Sequence, residues 1–206
     1  MDALKKLPYS FYQQDTLTVA RELLGKYLVH ETPDGPLICR ITETEAYCGP
    51  HDKACHSYKN RSPQGRTNIM YEEGGHSYVY LIYGMYCCFN VVTCPPGQPE
   101  AVLIRSAKPV AGLEQMRKYR TSKKGKVPAD RQFLTGPGKL CTAMAIDRSL
   151  YGEPLWGEVL YLAEGEPVEP SAIQSGPRIN VDYAEEDALL PYRFADTVCG
   201  YLSKKI

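Results

Sequence analysis

Residues 76–92, HSYVYLIYGMYCCFNVV, are two β-favouring runs rich in tyrosine and valine that meet at Gly84. The pattern predicts a hairpin with Tyr83, Gly84 and Met85 at its tip. Alternation with period two puts Tyr78 and Tyr80 on one face of the first strand, while Tyr83 falls at or beside the turn. Tyrosines in strands are often simply half-buried. An aromatic exposed at a tip costs solubility, however, so a wedge between bases or a stacking platform competes with packing as its role.

The charge balance looks neutral at first, with 24 lysines and arginines against 24 aspartates and glutamates. Its distribution is not even. Residues 101–140 carry ten basic residues against two acids, and residues 141–190 carry ten acids against Arg148 and Arg178. A zero total therefore conceals a basic and an acidic segment, which read either as two solvated surfaces or as a polyanion-binding face beside an acidic one.

A chain of 206 residues, 43% hydrophobic, can bury one sizeable core, and a single domain over 1–206 is expected. The opening MDALKKLPYSFYQQDT lacks the apolar centre of a signal peptide, and no run reaches the roughly 18 apolar residues of a membrane helix. A cytoplasmic setting follows, or a nuclear one in a eukaryote, with no membrane partner and with eight cysteines kept as free thiols. Cys48, His51, Cys55 and His56 are zinc-ligand types close in sequence, but they lack the fixed paired spacing and the second pair of a zinc site. Neither metal nor cofactor is expected.

Along the chain, Asp15 or Thr16 can cap a helix that presents Leu17, Ala20, Leu23 and Leu24 on one face and stops at Gly25. Residues 27–30 and 37–47 read as strands joined by a turn at 32–35, and 58–70 as an exposed basic loop. Beyond the hairpin, 101–107 reads as a strand, 110–119 as a helix, 121–128 as a lysine-rich loop and 139–146 as a short helix opened by Gly136, Pro137 and Gly138. Prolines break 153–187 into short strands and turns. Strands in runs, not strictly alternating with helices, favour α+β with a mainly antiparallel sheet.

In the strand ICRITETEAY, alternation places Arg40, Thr42, Thr44 and Ala46 on one side and Ile41, Glu43, Glu45 and Tyr47 on the other. A carboxylate beside a ring, with His56 a short loop away, suits the activation of water next to a stacked heterocycle. Pattern alone also allows a plainer interpretation, a surface glutamate and an ordinary loop histidine.

Four strings in order, ETEAYCGPHDKACHS (43–57), YVYLIYGMYCCFNVV (78–92), VLIRSAKPVAGLEQMR (102–117) and TGPGKLCTAMAI (135–146), resemble the alkyladenine, or 3-methyladenine, DNA glycosylase family of the mammalian type. The resemblance runs from about Asp15 to Phe194. It implies a curved sheet with surrounding helices, a DNA-inserting hairpin, and a monofunctional enzyme. Such an enzyme flips a damaged purine from double-stranded DNA and hydrolyses its N-glycosidic bond without strand cleavage, starting base excision repair. Alkylated purines such as 3-methyladenine and 7-methylguanine are the implied substrates, with deaminated or etheno purines as further candidates.

By the matched motifs, Glu45 corresponds to the general base. Arg105 corresponds to the arginine that holds the attacking water, with the backbone near Arg178 to Val181 completing that water's contacts. Tyr47 and Tyr80 match the rings that sandwich the base, His56 the histidine at its edge, and Asn90 the asparagine that crowds the 2-amino group of guanine. Tyr83 matches the residue that fills the gap in the duplex, with Met85 beside it. Arg61, Arg66 and Lys139 are candidate phosphate contacts, Lys139 by its place at a helix start. The reading needs a solvated carboxylate at position 45 facing an aromatic slot. A monomer suits it. The alternative is a non-catalytic binder of damaged DNA with the same fold, for which Glu45 would be dispensable. A zinc base deaminase is disfavoured because neither an HxE nor a PCxxC string occurs.

Overall fold

The structure, a computed structural model, describes residues 4–61 and 63–206, so the first three residues of the amino-terminal segment and position 62 of the basic loop lie outside the described residues. Eight strands, β1 (Tyr27–Thr32), β2 (Gly35–Tyr47), β3 (Ser77–Ile82), β4 (Tyr86–Thr93), β5 (Glu100–Ala111), β6 (Leu160–Ala163), β7 (Ile173–Gly176) and β8 (Arg193–Asp196), form one sheet. Its order is β3-β4-β5-β2-β1-β6, with β8 pairing β2 and β7 pairing β8, and these pairings are antiparallel. The α+β reading holds.

Strand β2 organises the fold. Its first half pairs with β1 and its second half with β8, while β5 runs along its other edge. Flanked in this way, it is buried almost throughout from Leu37 to Ala46. Strict alternation fails between Ile41 and Ala46. Ile41 and Ala46, expected on opposite faces, belong to the same core cluster. Between them the ladder with β5 is irregular: Ile41 pairs with Ala107, Glu43 with Ser106 and Thr44 with Ile104, two register shifts in succession that break the alternation.

Among the described residues, three α-helices pack on the sheet. Helix α1 (Thr16–Glu22) is capped by Asp15, whose carboxylate accepts from the Thr18 N–H at 3.1 Å, and it lies on β2 and β5. Helix α2 (Leu113–Arg120) starts later than the pattern 110–119 suggests, because β5 carries Val110 and Ala111 in its ladder and Gly112 then turns the chain with φ 79°. A side chain at that glycine would meet Leu37 Cδ2 at 2.6 Å. Helix α3 (Pro137–Ala143) begins two residues ahead of the expected 139–146 and stops at Ala143, with Ala145 at φ 53°. It packs on β4 and β5.

The principal core gathers Leu23, Ile41, Val79, Phe89, Ile104 and Leu140. A second cluster, Cys55, Met70, Tyr78, Val92 and Ala101, with Tyr47 and Tyr80 against it, forms on the side that carries Tyr78 and Tyr80. Val79 belongs to one cluster and its neighbours 78 and 80 pack in the other, as period two requires. The hairpin β3–β4 closes through Tyr83, Gly84 and Met85, with Tyr83 at φ 53°. Among the described residues, no helix is long and apolar enough to cross a membrane.

Candidate active site

Strand β2 carries Tyr47 into a cleft, with Glu45 buried behind it and bonded to the Tyr47 hydroxyl, and β3 brings Tyr80 in from another side. This cleft, about 650 Å³, is lined by Tyr47, His56, Tyr80, Tyr83, Arg105 and Tyr183 among others. A small recess opens from the same wall, bounded by Tyr47, His56, Tyr78, Tyr80 and Asn90. The structure thus brings together Tyr47, His56, Tyr80 and Asn90 as expected from sequence, with Arg105 and the hairpin tip on the adjoining surface.

Glu45 is fully buried, at 0% exposure. It receives hydrogen bonds from the Ile179 backbone N–H to Oε1 at 2.7 Å, and from the Tyr47 hydroxyl and Arg105 Nη1 to Oε2 at 2.9 and 3.1 Å. This overturns two expectations. The glutamate is not a surface residue, and its carboxyl is not openly solvated, because the Tyr47 hydroxyl, Arg105 and the 179 backbone close around it. Burial raises its pKa above the usual carboxylate value, with Arg105, the Ile179 N–H and Tyr47 opposing the rise. Burial also raises the Tyr47 hydroxyl, reinforced by Glu45 beside it, which keeps that hydroxyl protonated and donating.

Arg105 has a second acidic neighbour. Its Nε lies 3.4 Å from Glu43 Oε1, and Arg193 Nε lies 3.3 Å from the same oxygen. Burial works against the Arg105 charge, but Glu45 and Glu43 outweigh it and hold its pKa above the ordinary value. Glu43 and Glu45, two residues apart on β2, thus both face Arg105.

His56 donates to or accepts from the Tyr78 hydroxyl through Nδ1 at 2.8 Å, and meets the Tyr80 ring edge-on with centroids 4.7 Å apart. Burial pushes its pKa down to about 4, and Arg66 adds to the shift. The imidazole is therefore neutral at physiological pH. Asn90 is fixed as well: its Nδ2 donates to the Tyr78 carbonyl at 2.9 Å.

The other residues expected from the sequence lie outside the slot. Tyr83 and Met85 are 75% and 71% exposed at the hairpin tip. Arg61 and Arg66 are exposed in the loop; Arg66 lies 5.6 Å from the centre of the Tyr80 ring, nearer the slot than a purely peripheral contact. Lys139 is exposed on α3, where Gly138 packs so closely on Tyr86 that a Cβ would approach it to 2.9 Å. Cys55 lies 3.1 Å from Ser57 Oγ, apart from the His56 ring's partner Tyr78, so these zinc-ligand types are engaged separately. All eight cysteines are free, and burial pushes the Cys88 thiol up to about 11.

Several residues of the site escaped the sequence reading. Arg178 donates to Asp52 and to the Ala46 carbonyl, and its guanidinium sits 4.9 Å from the centre of the Tyr47 ring. One signal was available: Arg178 is one of two cations in the acidic run 141–190. Tyr183, 66% exposed at the cleft mouth, and Glu43, in the ETEAY string, gave none that distinguishes them.

A sequence model of the family described as Methylpurine-DNA glycosylase (MPG) matches residues 10–199. Among named proteins, one from Desulfitobacterium hafniense is 48% identical over 206 residues, covering 98% of this chain and all of the relative. One from Methanocella arvoryzae is 48% identical over 97% of this chain and 96% of its own length, and one from Natranaerobius thermophilus is 47% identical over 92% and 94%. Each carries the name "Putative 3-methyladenine DNA glycosylase".

Proposed function

The chain belongs to the methylpurine-DNA glycosylase family, and from that membership we propose that this 3-methyladenine DNA glycosylase flips an alkylated purine out of duplex DNA and hydrolyses its N-glycosidic bond with an activated water. The observation that carries the reading is one hydrogen-bonded cluster, Glu45 with Tyr47 and Arg105, at the head of a cleft that also holds Tyr80, His56 and the exposed Tyr83.

A carboxylate offers about four acceptor positions, and Ile179, Tyr47 and Arg105 occupy three on Glu45. The fourth takes the water. Glu45 accepts a proton from that water as its oxygen bonds to the sugar C1′, and the C1′–N bond breaks with its electron pair leaving on the base. A cationic 3-methyladenine departs as a neutral base and needs no acid. Burial strengthens Glu45 in this role by raising its proton affinity, and the negative charge also stabilises the oxocarbenium-like sugar. Among the described residues no lysine lines the cleft to form a Schiff base with that sugar, which supports hydrolysis over strand cleavage.

Tyr47 and Tyr80 stack the flipped purine, and neutral His56, held by Tyr78, meets its edge. Asn90, pinned to the Tyr78 carbonyl, crowds the 2-amino group of guanine. Tyr83 and Met85 fill the gap in the stack, offsetting a few kcal/mol of lost stacking and pairing. Arg61, Arg66 and Lys139 contact phosphates. A monomer is sufficient for this chemistry. The test is a duplex with a single 3-methyladenine analogue or randomly methylated DNA: free base and abasic sites should appear together. Binding with no base release would instead establish a non-catalytic damage binder.

A further inference from the structure

The C-terminal tail reaches back beneath the site. The Tyr201 carbonyl accepts from Thr42 Oγ1 at 2.6 Å, the Lys204 carbonyl accepts from Arg193 Nη2 at 2.9 Å, and Ser203 sits between them. Ser203 gives its backbone N–H to Glu43 Oε2 at 2.6 Å and its hydroxyl to Glu43 Oε1 at 2.8 Å. The same hydroxyl oxygen accepts from Arg105 Nη2 and Nε at 3.3 and 3.4 Å. One side chain thus joins the buried glutamate that competes for Arg105 to Arg105 itself.

We propose that Ser203 is a positioning residue that holds Arg105 on Glu45: it satisfies Glu43 and anchors the far side of the guanidinium, leaving Nη1 directed at Glu45. The inference rests on the glycosylase reading of Glu45. Its logic is competitive. Glu43 and Glu45 face one guanidinium, and hydrogen bonds to a carboxylate weaken its pull on other donors. Without the Ser203 hydroxyl, Glu43 Oε1 loses its nearest donor, keeps Arg193 and Arg105 beside it, and draws Arg105 toward itself. Glu45 then loses its nearest cation. The groups around Glu45 are Glu43 and Tyr47 on β2, Arg105 on β5, Arg193 on β8, Cys88 on β4, and Arg178 and Tyr183 beyond β7. Among these, Arg105 forms the close ion pair, at 3.1 Å.

The experiment compares wild type, Ser203→Ala and Ser203→Thr in single-turnover base release across pH, lesion-duplex affinity, and NMR titration of the labelled Glu45 carboxyl, assigned by its loss in Glu45→Gln. Ser203→Ala should slow release about tenfold or more with duplex affinity unchanged, and should raise both the Glu45 titration and the acid limb of the rate profile. Ser203→Thr, which keeps the hydroxyl, should restore all three. An unmoved Glu45 titration in a folded Ser203→Ala protein overturns the proposal. If the wild type releases no base while the titration still moves, the glycosylase reading fails and the positioning role stands.

Discussion

Arg178 lies over the ring of Tyr47, with its guanidinium carbon 4.9 Å from the ring centre. A planar cation on one face of the ring fixes its tilt and leaves the aromatic surface on the cleft side available for stacking. Asp52 in turn fixes Arg178, and both side chains are almost wholly buried, at 3% and 0% exposure.

Removing one member of such a pair leaves an uncompensated buried charge. Asp52→Ala should therefore lower unfolding stability by about 3–5 kcal/mol, read from urea denaturation. A loss below about 1 kcal/mol would mean that the pair behaves as a surface ion pair and does not brace Tyr47.

Glu45→Gln keeps shape but loses the proton acceptor. Base release from an alkylated duplex should fall by at least about a hundredfold, while affinity for the lesion duplex is retained. In the wild type the rate should fall as pH drops through the Glu45 pKa, and burial places that limb above the ordinary glutamate value. Full activity in the variant would remove Glu45 as the base.

At the hairpin tip, Tyr83→Ala deletes the most exposed aromatic ring of the structure's cleft. A 2-aminopurine placed beside the lesion should report weaker unstacking, and release should slow even at saturating enzyme. An unchanged fluorescence signal would contradict the wedge.

His56 links folding to pH. Its folded pKa, about 4, lies below the ordinary value of 6.5, so the unfolded chain binds the proton more readily between these limits. Its contribution is present in full above 6.5 and is lost as pH falls toward 4, amounting to about 3 kcal/mol at the acid end. Chemical denaturation across this window should show His56→Gln losing less stability than wild type by that amount; parallel curves would place the imidazole in a wetter setting.

The hairpin, its tip and the shared face of Tyr78 and Tyr80 were legible because each depends on short-range alternation. Glu45 beside Tyr47 was legible for the same reason. The burial of Glu45 was not, since it follows from β8 and the 179 backbone, which close on β2 from far along the chain. Ser203 stands 160 residues from Glu43, a separation over which no periodicity carries information. The late start of α2 and the broken alternation after Ile41 had another origin, namely strand pairing that extended β5 and shifted its register on β2 against local preference.

Strand β3 holds Tyr78 and Tyr80 along its length and ends at Ile82, next to Tyr83 of the turn, and it is laddered to β4 from Ser77 to Ile82. Lever and floor are consequently one piece. On the base-flipping reading, a push on the tip would pass along this ladder to the ring that lines the recess, so wedge and slot would respond together.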